Sequence, residues 1–532
     1  MTNPILTGFH PDPSIVRVGD DFFLATSSFE YTPGVPLYHS RDLRTWTLIG
    51  HALTRPSQLV VADGVEPGGG VWAPTLRYHA GVFYLATSSF ARFCPQQGVR
   101  LFPRGFCVTT TNIWDDAAWS DPVYFDVAGF DQDLFWDNGR VYLCTTHPKA
   151  DRPADAPPSR LDFAIHLCEV DLVTGRSLSP AVMLRDSTVG SCIAEGSHLY
   201  RRGRYYYLLV AEGGTGAHHS ECVYRSTEGV RGPWEPAPGN PILKSQAEND
   251  DVQNTGHVDL VEDAQGQWWA VLLGVRPLRG VDGAARTSVF GRETFLVPVT
   301  WVDDWPVINH DEKVCLGLGA APPASQDWHD DFTTSTLSLG WYRKNTPRTT
   351  DYTILANPPR LRLHGGPYSL SSPGSPNLLL RKQQHRSGRW IARLSFRPAD
   401  AHEEAGTVVY WNYTTYSSIG VGISKTTRER VVRFRSPDGE TAEHPLVGGG
   451  AVLVIQCTED GYRLGFLELD DSGEQPHWLG SVDSAVMTCE PPVGMAFSGM
   501  LLGVYAFAEH HGLSSPADFS SVSFHVGVYA TS

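Results

Sequence analysis

The chain has little that would suit it to nucleic acid, to a membrane or to a disulfide scaffold. Basic residues are the minority: 42 Lys and Arg stand against 58 Asp and Glu in 532 residues, a formal net charge of −16. Without a basic stripe to displace counterions from phosphates, no nucleic-acid partner is expected. No run approaches the roughly eighteen apolar residues that a membrane helix needs, so no membrane partner is expected either. Cysteine is sparse, nine residues without close pairs or metal-ligand spacing. Cys107, Cys144 and Cys168 fall inside apolar strands, where small buried thiols are ordinary. The opening MTNPILTGFHPDPS has no basic stretch followed by an apolar run. Two locations stay open from the sequence: secreted, if a leader has been removed, or otherwise cytoplasmic. Only in that secreted case would Asn412, in NYT, matter as a glycan acceptor.

What is present is aromatic residues and a repeat. Fifteen Trp, 20 Tyr and 23 Phe suit both sheets and sugar-binding surfaces. The stretch GSHLYRRGRYYYLLVAEGG, preceded by Glu195, has the form acid, short apolar strand, tight turn, long aromatic strand. The same form begins at Asp12, Trp72, Asp131 and His257, and the copies recur about every sixty residues. A unit this short cannot bury its apolar face alone, so copies must stack around a common axis. Five units of about four strands predict a five-bladed β-propeller. If the first strand of each unit is innermost, Asp12, Trp72, Asp131, Glu195 and His257 converge near one mouth of the central channel. Turn-forming acids could open any one strand, but that does not explain why different residue types occupy equivalent places.

The repeat ends at LGLGAAPPASQDW, residues 316–328. Beyond it TLSLGWYRK, RLRLHGG, WIARLSF, TVVYWNY, AVLVIQC, YRLGFLEL and VSFHVGVY alternate without the period and predict a β-sandwich. The expected division is a propeller over 1–320 and a sandwich over 321–532. Within blade two, the insertion at about residues 90–105 is rich in Pro, Arg and aromatics and is a candidate to shape the rim of a site.

Glycosidic hydrolysis needs one carboxylic acid to protonate the leaving oxygen and one carboxylate to activate water or attack the anomeric carbon. A third acid nearby can keep the donor protonated by like-charge repulsion. Asp12, Asp131 and Glu195 meet that need in type and number. Metal binding also predicts convergent oxygens and stays open from the residues alone, as does a propeller that binds glycans or proteins without turnover.

HPDPS at 10–14, WAPT at 72–75, GFD at 129–131, AEGSHLY at 194–200, TGHVDLV at 255–261 and GRETF at 291–295 together resemble glycoside hydrolase family 43. The resemblance spans essentially the whole chain. It implies a five-bladed propeller followed by a concanavalin-like sandwich, and an inverting enzyme acting on xylan-type pentosides. It further implies Asp12 as general base, Glu195 as general acid and Asp131 as the residue that tunes the acid and orients the sugar. With inversion, the base and acid carboxyls would stand roughly 6.5–9.5 Å apart. Arg292 resembles the arginine that binds sugar hydroxyls, and Phe29 and Trp72 resemble walls of the sugar subsite. His257 resembles the axial histidine, which in some members holds calcium and in others water; no cofactor is needed for the chemistry.

Two departures stand out. DQDLF places an extra carboxylate, Asp133, after Asp131, and EGS stands at the acid position where the family usually has Glu-Ala-Pro or Glu-Gly-Pro. With the long insertion, the DQD motif favours an α-L-arabinofuranosidase that trims arabinoxylan or pentose-containing oligosaccharides. An exo-β-1,4-xylosidase, or an enzyme with both activities, is the alternative.

Overall fold

The computed structural model describes residues 3–91, 103–149, 162–187, 192–245, 250–279, 285–286, 288–317, 327–469, 475–509 and 514–527. The chain forms two compact units. One contains 1–61, 69–285 and 291–320; the other contains 62–68, 286–290 and 321–532.

In the first unit, five antiparallel sheets follow one another along the chain. Their first long strands are Ser14–Val18, Thr75–His79, Phe130–Asp137, Ala194–Arg202 and Gln253–Glu262. Each lies against its counterparts in the two neighbouring sheets, the fifth against the first, so the five close a ring. Thr294 O accepts from Ile5 N and Leu6 N, which stitches the start of the chain to the fifth sheet.

The run YYYLLVAE, Tyr205–Glu212, is buried at every position, and period-two geometry explains why. Successive side chains point to opposite faces. Tyr205, Tyr207 and Leu209 pack with Val258, Leu260, Leu272 and Phe295 of blade five. Tyr206, Leu208 and Val210 pack with Cys144, Ile165 and Leu167 of blade three. A strand covered on both faces needs no polar side, so the sequence reads as a continuous apolar run. The core is thus a set of layers between blades, and Cys107, Cys144 and Cys168 are fully packed within them. These three thiols form no disulfide.

The second unit is a sandwich of an eight-stranded and a six-stranded antiparallel sheet. Residues 330–400 supply strands such as Tyr352–Ala356, Pro359–Leu363, Asn377–Lys382 and Gly388–Ser395 to it rather than a sixth blade. The expected strand at TLSLGWYRK reduces to Arg343–Lys344. Leu339 there is exposed, because its stretch turns instead of entering a sheet. The boundary stretch at 318–326 and most of the blade-two insertion, 92–102, lie outside the described residues.

Candidate active site

The inner strands are interrupted where they reach the mouth. Blades three, four and five have register shifts at Phe130/Asp133, Glu195/His198 and Gly256/Asp259. In blade two, Gly70–Val71 and Thr75–His79 are separate strands. Asp12, Asp131 and His257 adopt left-handed backbone, with φ of 54°, 51° and 55°. Such conformations cost on the order of 1–3 kcal/mol for residues other than glycine and cluster where a side chain must be aimed. In blade four that conformation falls one residue later, on Gly196, φ 57°. A Cβ there would also approach His257 Nδ1 to 2.9 Å, so glycine fits at this place on two counts.

These bends gather the residues expected from the sequence. Asp12 is held at both oxygens: Arg292 Nη1 donates to Oδ1 at 2.9 Å and Ser27 Oγ to Oδ2 at 2.5 Å. The same Nη1 of Arg292 reaches Thr215 Oγ1 at 3.0 Å, and its guanidinium stands 5.4 Å from the Phe29 ring centre. His257 Nδ1 is 3.9 Å from Asp12 Oδ1. Asp131 Oδ2 accepts from Gly196 N at 2.9 Å.

The electrostatics separate the carboxyls. Burial lifts Glu195 to about 7; Asp12 adds to the rise and Arg292 opposes it. Asp131 is also raised, by burial first and then by Glu195 and Asp12, while the Gly196 hydrogen bond and Arg292 pull the other way. Burial and Asp12 therefore lead at Glu195, where the sequence suggested Asp131 alone. Burial lowers His257 to about 4 despite the opposing pull of Asp12, so its ring is neutral near pH 7. A neutral carboxylic acid, a hydrogen-bonded carboxylate and a fixed guanidinium around one mouth can protonate a leaving oxygen and activate water.

Phe29 and Trp72 are 2% and 7% exposed. Phe29 stacks with Phe9 at 5.9 Å, and Trp72 lies against Phe90 and Phe130 at 4.7 and 5.4 Å. Of the two, Phe29 is the ring that meets Arg292.

The surroundings of His257 do not fit calcium, which takes about six to eight oxygen ligands. Its nearest carboxylate oxygen is already taken by Arg292, and its ring meets His198, with centroids 6.1 Å apart, and Gly196. Among the described residues no group of three or more His, Cys, Asp or Glu is arranged to hold a metal.

Asp133 does not reach the mouth as a spare charge. Its Oδ1 is 2.9 Å from Arg77 Nη2 and its Oδ2 accepts from Leu199 N at 2.8 Å. Sequence reading missed Arg77, Ser27, Thr215, His198 and Asp259. One signal was visible: Asp131-x-Asp133 and His257-x-Asp259 carry an acid at the same offset, and Arg77 binds both acids.

The sequence model described as "Glycosyl hydrolases family 43" matches residues 1–306, and "Beta xylosidase C-terminal Concanavalin A-like domain" matches 329–525. The chain is 35% identical to the non-reducing end α-L-arabinofuranosidase BoGH43B of Bacteroides ovatus, over 98% of this chain and 94% of that one. It is 32% identical to a xylosidase/arabinosidase of Butyrivibrio fibrisolvens, over 97% and 98%. The crystal structure of a xylan β-1,4-xylosidase from Bacillus halodurans superposes with a TM-score of 0.87 at 31% identity, covering 99% of this chain and 100% of that one.

Proposed function

The chain belongs to glycoside hydrolase family 43, and within that family we propose that it is an inverting, exo-acting β-xylosidase on xylan-type oligosaccharides, with α-L-arabinofuranosides as its second substrate. Asp12 is the general base that activates water. Glu195 is the general acid that protonates the departing oxygen, and Asp131 repels its charge and holds the Gly196 peptide beside it. Arg292 anchors Asp12 and binds sugar hydroxyls. The observation that carries the reading is Glu195, lifted to about 7 by burial and Asp12, opposite a carboxylate whose two oxygens are both held.

The preference for xylose reverses the expectation from the sequence. Asp133, one ground for favouring arabinose, is bound by Arg77, and the insertion that supplied the other lies outside the described residues. Several relatives are named for xylosidase activity, two of them together with arabinosidase. The cluster around Arg77 crosses the channel behind the acids and supports a blind pocket suited to a terminal sugar. The trio lies within 1–320, which we take as the catalytic domain, with 321–532 as the sandwich.

Initial rates on aryl β-D-xyloside and aryl α-L-arabinofuranoside test this, with NMR of the first-formed sugar. Faster xyloside cleavage releasing α-xylose supports the proposal. Cleavage of arabinofuranoside alone selects the arabinose reading, and release of β-xylose contradicts inversion.

A further inference from the structure

Behind the acids, every blade contributes to one buried cluster. Arg77 of blade two is enclosed by Asp133 of blade three, His198 of blade four and Asp259 of blade five. Its Nη1 donates to Asp259 Oδ2 at 2.9 Å, and its Nη2 lies 2.9 Å from both Asp133 Oδ1 and His198 Nδ1. Ser14 of blade one joins through a 2.7 Å hydrogen bond to Asp259 Oδ2, and Tyr200 Oη donates to Asp259 Oδ1. Two carboxylates surround one guanidinium. As a brace for the ring, that would be a sufficient account of every member except the histidine.

The histidine adds something else. A guanidinium has only donors and stays protonated. A nitrogen of His198 at hydrogen-bond distance from Arg77 must therefore accept, which places the imidazole proton on Nε2. That nitrogen, on the side of the ring away from Arg77, is buried with no hydrogen-bond partner among the described residues. A buried N–H donor without an acceptor is costly, because it loses its hydrogen bond to water and gains none. The ring stands edge to face with His257, 6.1 Å between centroids, and His257 borders Asp12.

We propose that His198 Nε2–H is a buried donor whose acceptor is an oxygen that the described residues do not supply, a water or a hydroxyl of the terminal sugar, and that Arg77 is the positioning residue that fixes this tautomer. This rests on the reading of the neighbouring acids as a sugar subsite. Arg77 thus does two things at once: it neutralises Asp133 and Asp259, and it keeps the proton of His198 on Nε2. Lysine in its place offers a point charge without the planar fork and cannot serve three acceptors in this geometry.

The test begins on the full-length wild-type chain, so it does not depend on a variant folding. In 15N-histidine-labelled enzyme, with His198 assigned by the signal missing from His198→Phe, the expected pattern is a neutral ring protonated at Nε2. A ring protonated at Nδ1, or at both nitrogens near pH 7, overturns the proposal. A slowly exchanging Nε2–H signal that moves on adding xylose identifies the sugar hydroxyl. One that stays put and remains protected identifies a held water, and one that exchanges as freely as a surface histidine overturns the site. For activity, His198→Phe and Arg77→Lys should each lower kcat/KM by about tenfold or more, the loss expected for one hydrogen bond made in the transition state. Unchanged kcat/KM per folded molecule, even with a lowered Tm, would reduce the cluster to a brace. If wild type cleaves no aryl glycoside but shows the Nε2–H tautomer, the functional reading fails and the assignment of the tautomer stands.

Discussion

Asp131 accepts a hydrogen bond from the backbone N–H of Gly196, 2.9 Å away, so the carboxyl that Glu195 raises also holds the peptide next to Glu195. The N–H favours the anion of Asp131, while burial, Glu195 and Asp12 raise its carboxyl; the proposed roles require that the proton retained by the buried pair sit on Glu195.

Asp131→Asn should therefore move the pH profile. Glu195 is raised and works while protonated, so activity is present below about 7 and is lost as pH rises through that value. Removing the neighbouring anion lowers the Glu195 pKa, and the basic limb of kcat/KM should shift to lower pH. A limb that stays in place would put the retained proton on Asp131 and leave burial and Asp12 as the causes of the rise.

Chelation should have no effect on rate. Since the donors around His257 do not suit calcium, exhaustive treatment with EDTA is expected to leave kcat and KM unchanged, checked by elemental analysis of the treated enzyme. Activity that disappears and returns only with calcium would contradict the fit argument.

Leu209→Ala tests the packing between blades. Leu209 is fully buried between blades four and five, and such truncations cost about 2–5 kcal/mol. Denaturant unfolding should show that loss in the propeller, while folded enzyme keeps its KM. A cost below about 0.5 kcal/mol, as at an exposed position, would contradict this packing.

Much of this was legible before the structure, and the reason is geometric. A repeat that must stack into a ring carries its own long-range information, so Asp12, Asp131, Glu195 and His257 could be assigned to one mouth from spacing alone. Residues whose role depends on a partner in another blade carried no such mark. Ser27 meets Asp12 and Thr215 meets Arg292 through contacts that no local pattern encodes. Asp133 shows the limit most plainly. Its offset from Asp131 was visible and marked an extra carboxylate, but Arg77, which binds it, sits in another repeat. Burial, the leading cause of the Glu195 shift, was not legible for a related reason: it depends on the closed ring and not on any neighbour in sequence.

In the proposed mechanism Glu195 delivers the proton to the leaving oxygen and Asp12 does not. The most direct measurement is the rate of Glu195→Gln and Asp12→Asn across aryl xylosides of graded leaving-group pKa, on protein shown to be folded. Loss of the general acid typically costs about 10²–10⁴-fold where the departing oxygen needs protonation. Glu195→Gln should therefore fall most on poor leaving groups and retain much of its rate on activated ones, whereas Asp12→Asn should fall on all alike. An equal fractional loss for Glu195→Gln on good and poor leaving groups would contradict its assignment as the proton donor.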